Sequence, residues 1–326
     1  MNILVAGGAG FIGSHVVDRL LRRTDFELLV VVDNLWTGLQ SNLAHIRDDR
    51  MKFVKSDVEV FNSELRFDEI YHFASPASPP WFIAEPARTI SANIRGAFRL
   101  RELLARGGQF AFTSTSEVYG DPLVSPQPES YRGSVDCTGP RSSYDESKRC
   151  TESFLFEMSR TEGMRIKVVR LFNVFGPRTR PNDGRAVSNF LTRALRGDPI
   201  VVYGDGSQSR SWGYIDDIID ALERYFWLDG INFSGPLNIG NNREISVIDV
   251  ALYVQSLFPQ VEIQFGPPVA QDPTNRCPDL TRARQVLPGW HCKVSYEIGI
   301  GLTLDWFRKV GMSQGAGRAN LPNKEI

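Results

Sequence analysis

Sulfur and imidazole are scarce in this chain. Its 326 residues include four cysteines, Cys137, Cys150, Cys277 and Cys292, and four histidines. No two cysteines stand close enough for a C-x-x-C pair, so neither a metal knuckle nor a dithiol redox centre is expected. No metal site of any kind is expected. A chain of this length buries a large core and needs no disulfide framework. An excess of charge of one sign is lacking too. Lys and Arg number 37 and Asp and Glu 38, which leaves a formal net charge of -1. That balance excludes a polyanion-binding surface as the main business of the molecule, and no nucleic-acid partner is expected. No run approaches the roughly 18 apolar residues that cross a bilayer, so no membrane partner is expected either. The start, Met1-Asn2-Ile3-Leu4-Val5, leads straight into glycines without a basic stretch ahead of an apolar one. No secretory signal is therefore expected. A cytoplasmic enzyme acting on small molecules is the leading class.

What the chain does have is alternation. Ile3–Ala6, Leu28–Val32, Met51–Val54, Glu69–Phe73, Gln109–Thr113 and Lys167–Leu171 are short apolar runs, as strands buried on both faces should be. Between them lie helical patterns at Phe11–Leu21, at about Ala87–Ala105 and at about Ser143–Glu162. Strand, helix and strand in repetition predict an α/β fold, a Rossmann-type doubly wound parallel sheet. After Asn173 glycine and proline become frequent, as in Gly176-Pro177 and Gly204-Asp205-Gly206, and only short helices are expected, at Arg185–Arg196, Ile215–Trp227 and Ser246–Ser256. The texture predicts a cofactor-binding domain over 1–172, with room for later segments to return to it, a smaller mixed α/β substrate-binding domain over 173–310, and a flexible tail over 311–326.

Gly7-Gly8-Ala9-Gly10-Phe11-Ile12-Gly13 follows the first strand and opens the first helix. Glycines there allow a tight turn and let backbone N–H groups and the positive end of the helix dipole face a pyrophosphate. Asp33 closes the second strand. A carboxylate at that place can accept both hydroxyls of an adenosine ribose and would repel a 2′-phosphate, which favours NAD over NADP. An aspartate at a strand end can also simply cap a turn. Tyr144 and Lys148 stand four apart in a predicted helix and therefore on one face. An ammonium near a phenol lowers the phenol pKa, so Tyr144 can serve as a general base. A surface pair at the same spacing is the bland alternative.

Longer segments carry a resemblance. The glycine turn, Asp33, Tyr144-x-x-x-Lys148 and Thr115-Ser116-Glu117 together resemble the extended short-chain dehydrogenase/reductases that modify nucleotide sugars. His72-Phe-Ala-Ser-Pro-Ala-Ser-Pro-Pro80, Ser114–Asp121, Gly139–Glu146, Arg170–Arg178 and 182–190 narrow it to the UDP-glucuronate decarboxylases, and the likeness runs from Met1 to about Trp306. That resemblance implies NAD as cofactor and UDP-glucuronate as substrate. The implied reaction oxidises the sugar at C4, loses CO₂ from the 4-keto acid and returns the hydride. It extends the cofactor site from Gly7, Gly10, Phe11, Ile12, Gly13 and Asp33 to Asn34, Trp36, Thr37, Gly38, Ala74 and Lys148. Asp57 and Val58 would receive the adenine. Thr115 would bind the C4 oxygen, with Ser116 and Glu117 beside C5 and C6. The related dTDP-glucose 4,6-dehydratases place an acid where this chain has Ser116, and UDP-apiose synthases a cysteine.

Arg276, in Gln271-Asp-Pro-Thr-Asn-Arg-Cys-Pro-Asp279, would take the hexuronate carboxylate. Ser75, Asn173, the 182–189 loop with Arg185, and Tyr203 with Gln208 and Arg210 would complete the substrate site. Arg210 and Arg276 would offset the diphosphate, and Tyr203 would pack on uracil. The resemblance also implies a homodimer through a four-helix bundle made by the two long helices of each subunit. The chain departs from the relatives' pattern at Trp81-Phe82 and at Thr89-Ile90-Ser91-Ala92-Asn93. Three other readings stand beside the decarboxylase: a C4 epimerase yielding UDP-galacturonate, a dTDP-glucose 4,6-dehydratase-like enzyme, and a catalytically silent NAD-binding protein.

Overall fold

The computed structural model describes residues 1–181, 183–227 and 233–311. The expected tail therefore lies outside the described residues except for Gly311, and so does Asn182 of the expected substrate loop.

The first half alternates as its apolar runs require. β1 (Asn2–Ala6), α1 (Phe11–Leu20), β2 (Leu28–Asp33), β3 (Met51–Lys55) and β4 (Phe67–His72) come first. A short α2 (Pro79–Ala84) precedes the long α3 (Pro86–Leu103), then β5 (Leu104–Thr115), α4 (Ser142–Glu162) and β6 (Arg165–Leu171). The second half is built from β7 (Val174–Phe175), α5 (Ala186–Arg196), β8 (Ile200–Tyr203), β9 (Ser209–Arg210), β10 (Gly213–Tyr214) and α6 (Ile215–Trp227). β11 (Leu237–Ile239), β12 (Ile245–Ser246), α7 (Val247–Leu257), β13 (Ile263–Gly266), α8 (Thr281–Val286) and α9 (Tyr296–Lys309) follow.

Seven strands form one sheet in the order β3-β2-β1-β4-β5-β6-β11. Every pairing in it is parallel, with Leu4 opposite Val30 and Ile70, and Phe112 opposite His72 and Val168. Side chains along a strand alternate between faces. Ile3, Val5, Leu29 and Val31 accordingly join Val16 and Leu20 of α1 and Ile218 and Leu222 of α6 in one core. Leu4, Ala6, Val30 and Val32 join Leu100 and Leu103 of α3 and Leu155 of α4 in the other. The near-continuous apolar runs of the sequence are thus the signature of a sheet covered on both sides.

β11 returns to the sheet edge beside β6 after the chain has left it. The remaining strands pair in twos: β7 with β10, β9 with β12, and β8 with β13. These ribbons and α5, α7 and α9 sit over the carboxyl ends of the sheet strands, where the loops after β1, β2, β4, β5 and β6 converge. That is the place where doubly wound sheets bind ligands.

Candidate active site

One cleft of about 1360 Å³ runs along this carboxyl edge, from Gly7 and Asp33 at one end to Tyr203 and Asp272 at the other. It brings together every residue expected for cofactor and substrate among the described ones, except Gly38 and Arg276.

At the cofactor end, α1 starts with Gly10 as its N-cap, and neither a capping side chain nor an acidic residue occupies its first turn. Its N-terminal N–H groups are free to meet an anion. Gly7 has φ +80°, and a Cβ on it would lie 2.5 Å from the Ala74 backbone. A Cβ on Gly13 would come within 2.2 Å of the Gly7 carbonyl oxygen. Only glycine lets the turn lie this close to the helix and the neighbouring strand. Asp33, buried, accepts hydrogen bonds from the N–H groups of Ala9 at 3.0 Å and Leu35 at 2.8 Å. It therefore does cap the turn, yet each oxygen keeps a lone pair for a hydroxyl. Burial raises its carboxyl pKa, and those N–H groups partly offset the rise. Gly38 lies under this carboxylate: a Cβ there would sit 2.9 Å from both oxygens. Asn34 donates to Asp57, and Arg88 reaches the same Asp57 oxygen at 3.3 Å while stacking on Trp36 at 4.1 Å. A glycine cradle, an uncapped helix start and an acid at the ribose position fit a dinucleotide with an unphosphorylated ribose.

At the other end, α4 carries Tyr144 and Lys148 on one face, both buried. The Lys148 amine donates to the Thr113 carbonyl at 2.8 Å and lies 5.9 Å from the centre of the Tyr144 ring. Burial lowers the Lys148 pKa to about 7, with Glu152 pulling weakly the other way. The Tyr144 phenol behaves opposite to expectation. Burial pushes its pKa well above the ordinary value, and the side-chain hydrogen bond with Thr115 offsets only part of the rise. Glu117 and Asp145 add to it, and Arg185 offsets a little of the rise. Phe82 stacks on Tyr144 with ring centres 5.0 Å apart and planes within 6°.

Arg276 also departs from expectation. It was to face the sugar carboxylate, but only 1% of it is exposed and it does not line the cleft. It lies behind Glu117, bonding Glu117 Oε2 at 3.0 Å and donating to the Gly120 carbonyl. Arg141, which sequence reasoning passed over, lines the cleft in front and bonds the same Oε2 at 2.7 Å. Burial alone would raise the Glu117 carboxyl pKa, but Arg276 and Arg141 outweigh it and hold the carboxyl well below the usual range. The signal for Arg141 was its place three residues before Tyr144, one helical turn away.

The other arginines expected to gather around the anion are already paired. Arg185 bonds Asp183, and Arg210 meets Asp272 at 2.9 Å. Tyr203 is exposed, and its carbonyl accepts from Gln208 at 3.0 Å. Asn173 and Ser75 line the cleft, and the Ser75 hydroxyl is buried without a partner. Trp81, Phe82 and Ala92, where the sequence departs from the relatives' pattern, line it as well.

The family model for the NAD dependent epimerase/dehydratase family matches residues 3–232. Among curated proteins, UDP-glucuronic acid decarboxylase 5 of Arabidopsis thaliana is 44% identical over 94% of this chain and 89% of its own. UDP-glucuronic acid decarboxylase 1 of Danio rerio is 41% identical over 94% of this chain and 73% of its own. Among solved structures, a Thermotoga maritima UDP-glucose 4-epimerase with UDP-glucose matches with a TM-score of 0.83 at 33% identity, covering 95% of this chain and 99% of that one. A UDP-glucuronic acid 4-epimerase from Bacillus cereus, solved with UDP-glucuronic acid and NAD, matches with a TM-score of 0.83 at 26% identity, covering 95% and 100%. The chain belongs to the NAD-dependent epimerase/dehydratase family, in the branch of the UDP-glucuronate decarboxylases.

Proposed function

We propose that this chain converts UDP-glucuronate to UDP-xylose and CO₂ with no net redox change. The observation that carries this reading is its likeness, along nearly the whole chain, to UDP-glucuronic acid decarboxylases. NAD⁺, held by the glycine turn at Gly7–Gly13 and by Asp33, would supply the hydride acceptor for C4 and, once reduced, the hydride returned there.

The protein's own groups handle the protons. Tyr144 accepts the proton of the C4 hydroxyl, and Thr115 hydrogen-bonds the same oxygen. A buried phenol and a buried amine each resist charging, yet tyrosinate and ammonium formed together stabilise one another. Lys148, with its pKa near neutrality, is suited to that exchange. Oxidation at C4 leaves the carboxylate β to a ketone. When the bond from C5 to the carboxylate breaks, its electron pair delocalises onto the C4 oxygen as an enolate, which Tyr144 and Thr115 stabilise by hydrogen bonding. Water near Glu117 supplies the proton to C5, and Tyr144 returns its proton to the C4 oxygen. Ser116 provides no acid for a C6 hydroxyl, which disfavours water loss.

In the binding scheme proposed with this chemistry, Gly7, Gly10, Phe11, Ile12 and Gly13 hold the pyrophosphate of NAD, Asp33 with Asn34, Trp36, Thr37 and Gly38 its ribose, and Asp57, Val58 and Ala74 its adenine side. Asn173, Ser75, Arg185, Tyr203, Gln208 and Arg210 hold the sugar nucleotide. Residues 1–172 serve the cofactor and 173–310 the substrate, with β11 returned to the first. Cytoplasmic residence completes the reading. Among the described residues no helix is long and apolar enough to cross a membrane.

The same reading includes a homodimer. Leu100, Leu103 and Leu155 are consumed by packing within the chain. Ile90 and Phe98 of α3 remain exposed, and Phe98 stacks on Phe154 of α4 at 4.0 Å. This pair supports a second copy against α3 and α4.

Incubation with UDP-glucuronate, and with UDP-galacturonate and dTDP-glucose as controls, tests the activity by NMR of the products. UDP-xylose from UDP-glucuronate is expected. Recovery of UDP-galacturonate alone would favour the epimerase reading, to which the Bacillus cereus neighbour lends support.

A further inference from the structure

Around Glu117 two guanidiniums share one carboxylate oxygen. Among the described residues Arg141 forms no other side-chain hydrogen bond, and its Nε is buried without a partner. It caps the start of α4, where the helix dipole is itself positive. A cation at that end is held against the dipole, and the local potential stays positive even after Glu117 is counted. The second nearby carboxyl does not restore balance. Asp145 has one oxygen buried without a partner, and burial together with Glu117 raises its carboxyl pKa, so it is the weaker counter-charge of the two. Two other arginines placed in the substrate site each have a carboxylate of their own, Arg185 with Asp183 and Arg210 with Asp272. The Arg141 guanidinium also lies 5.5 Å from the centre of the Phe82 ring, and that ring stacks on Tyr144. One aromatic platform thus fixes both the base and the Arg141 guanidinium.

We propose that Arg141 is the residue that recognises the carboxylate of the hexuronate, and that Arg276 is a positioning residue acting through Glu117. This rests on the decarboxylase reading above. The arrangement suits the chemistry. A guanidinium binding the carboxylate with full strength would stabilise the ground state and oppose loss of CO₂. Arg141 remains shared with Glu117, so it orients the carboxylate without holding it too firmly. Arg276, behind Glu117 and closed off by the Gly120 carbonyl, sets where Glu117 stands and keeps it ionised.

The test compares UDP-glucuronate with UDP-glucose, the same sugar nucleotide without the charge at C6. Binding is measured by calorimetry with saturating NAD⁺ in a Tyr144→Phe background, which prevents turnover. The parent is expected to prefer the uronate. Arg141→Gln is expected to lower that preference about tenfold or more, the size of a lost charge-assisted hydrogen bond, and to leave UDP-glucose binding unchanged. Arg276→Gln is expected to keep the preference. In the otherwise wild-type enzyme it should move the acid limb of kcat/KM to higher pH, because Glu117 loses a cation. An unchanged preference in Arg141→Gln, or a preference lost in Arg276→Gln alone, would overturn the assignment. If Arg141→Gln does not fold, Arg141→Lys decides: a reduced preference supports the fork-shaped contact and an unchanged one overturns it. A parent without any preference would overturn the substrate reading and this assignment with it.

Discussion

The cleft has an acid largely shielded from solvent at each end, and the two are treated in opposite ways. Asp33 is held by backbone N–H groups and no cation. Glu117 is held by two guanidiniums. Burial raises the Asp33 carboxyl pKa with only N–H groups to offset it, whereas at Glu117 the arginines outweigh burial and hold the pKa well below the usual range. The difference teaches what each end can receive. A carboxylate satisfied by N–H groups keeps its charge unspoken for, so it can accept neutral hydroxyls and repel phosphate. A carboxylate locked between two arginines stays ionised but is outnumbered, which leaves net positive charge at that end. The cofactor end is built for hydroxyls, and the sugar end for an anion.

The largest effect that could break this comparison lies at the sugar end. Tyr144→Phe is expected to lower turnover about a thousandfold or more while NADH binding, followed by fluorescence, stays within twofold of wild type, about 0.4 kcal/mol. Near-normal turnover would remove the base. Next comes Glu117→Gln. It leaves two buried guanidiniums without their counter-charge and should cost about 3 kcal/mol of stability in denaturant melts. A loss below about 0.5 kcal/mol, the usual size for a surface site, would mean the pairs are solvated. At the opposite end, Asp33→Ser should weaken NADH about tenfold and tighten NADPH, read by titration. Unchanged discrimination between the two would deny Asp33 its role.

A last effect, spread over several units of pH, concerns Lys148. Its pKa is about 7 in the fold, below the ordinary value of about 10.4 in the unfolded chain. Between those values the unfolded state binds more protons, so stability rises with pH through this window. Each unit of displacement is worth about 1.4 kcal/mol. Lys148→Met should flatten that rise in melts from pH 7 to 10. The same slope in both proteins would mean the lysine is not desolvated.

Much of the fold was legible, for reasons seen in particular elements. The apolar runs of β1, β2, β4, β5 and β6 had their full strength because both faces of the sheet are covered. α6 spans Ile215–Trp227 as its periodicity predicts, and α4 and α5 begin within a residue of expectation. The predicted α7 starts at Ser246, which turns out to be the cap whose hydroxyl accepts from the Asp249 N–H. α3 stops two residues early because Leu104 pairs with Phe67. β8 and β13 were not foreseen. Each is a four-residue run whose only partner is the other, some sixty positions away, and no local period reveals such a pair. α9 was hidden by Gly299 and Gly301 inside it.

At the site, the glycine turn, Asp33, Tyr144 and Lys148 could be read because spacing and neighbouring elements fix them. Arg276 and Arg141 could not be told apart. Which of two arginines faces a cleft depends on how a loop from beyond residue 270 packs against a turn at 117, and that is a tertiary fact.

The most direct measurement is proton NMR of UDP-glucuronate turning over in D₂O with NAD⁺ and the purified protein. The account predicts UDP-xylose with one deuterium at C5, one CO₂ for each sugar, and no lasting NADH absorbance. Unchanged UDP-glucuronate, or UDP-galacturonate with no CO₂, would contradict it.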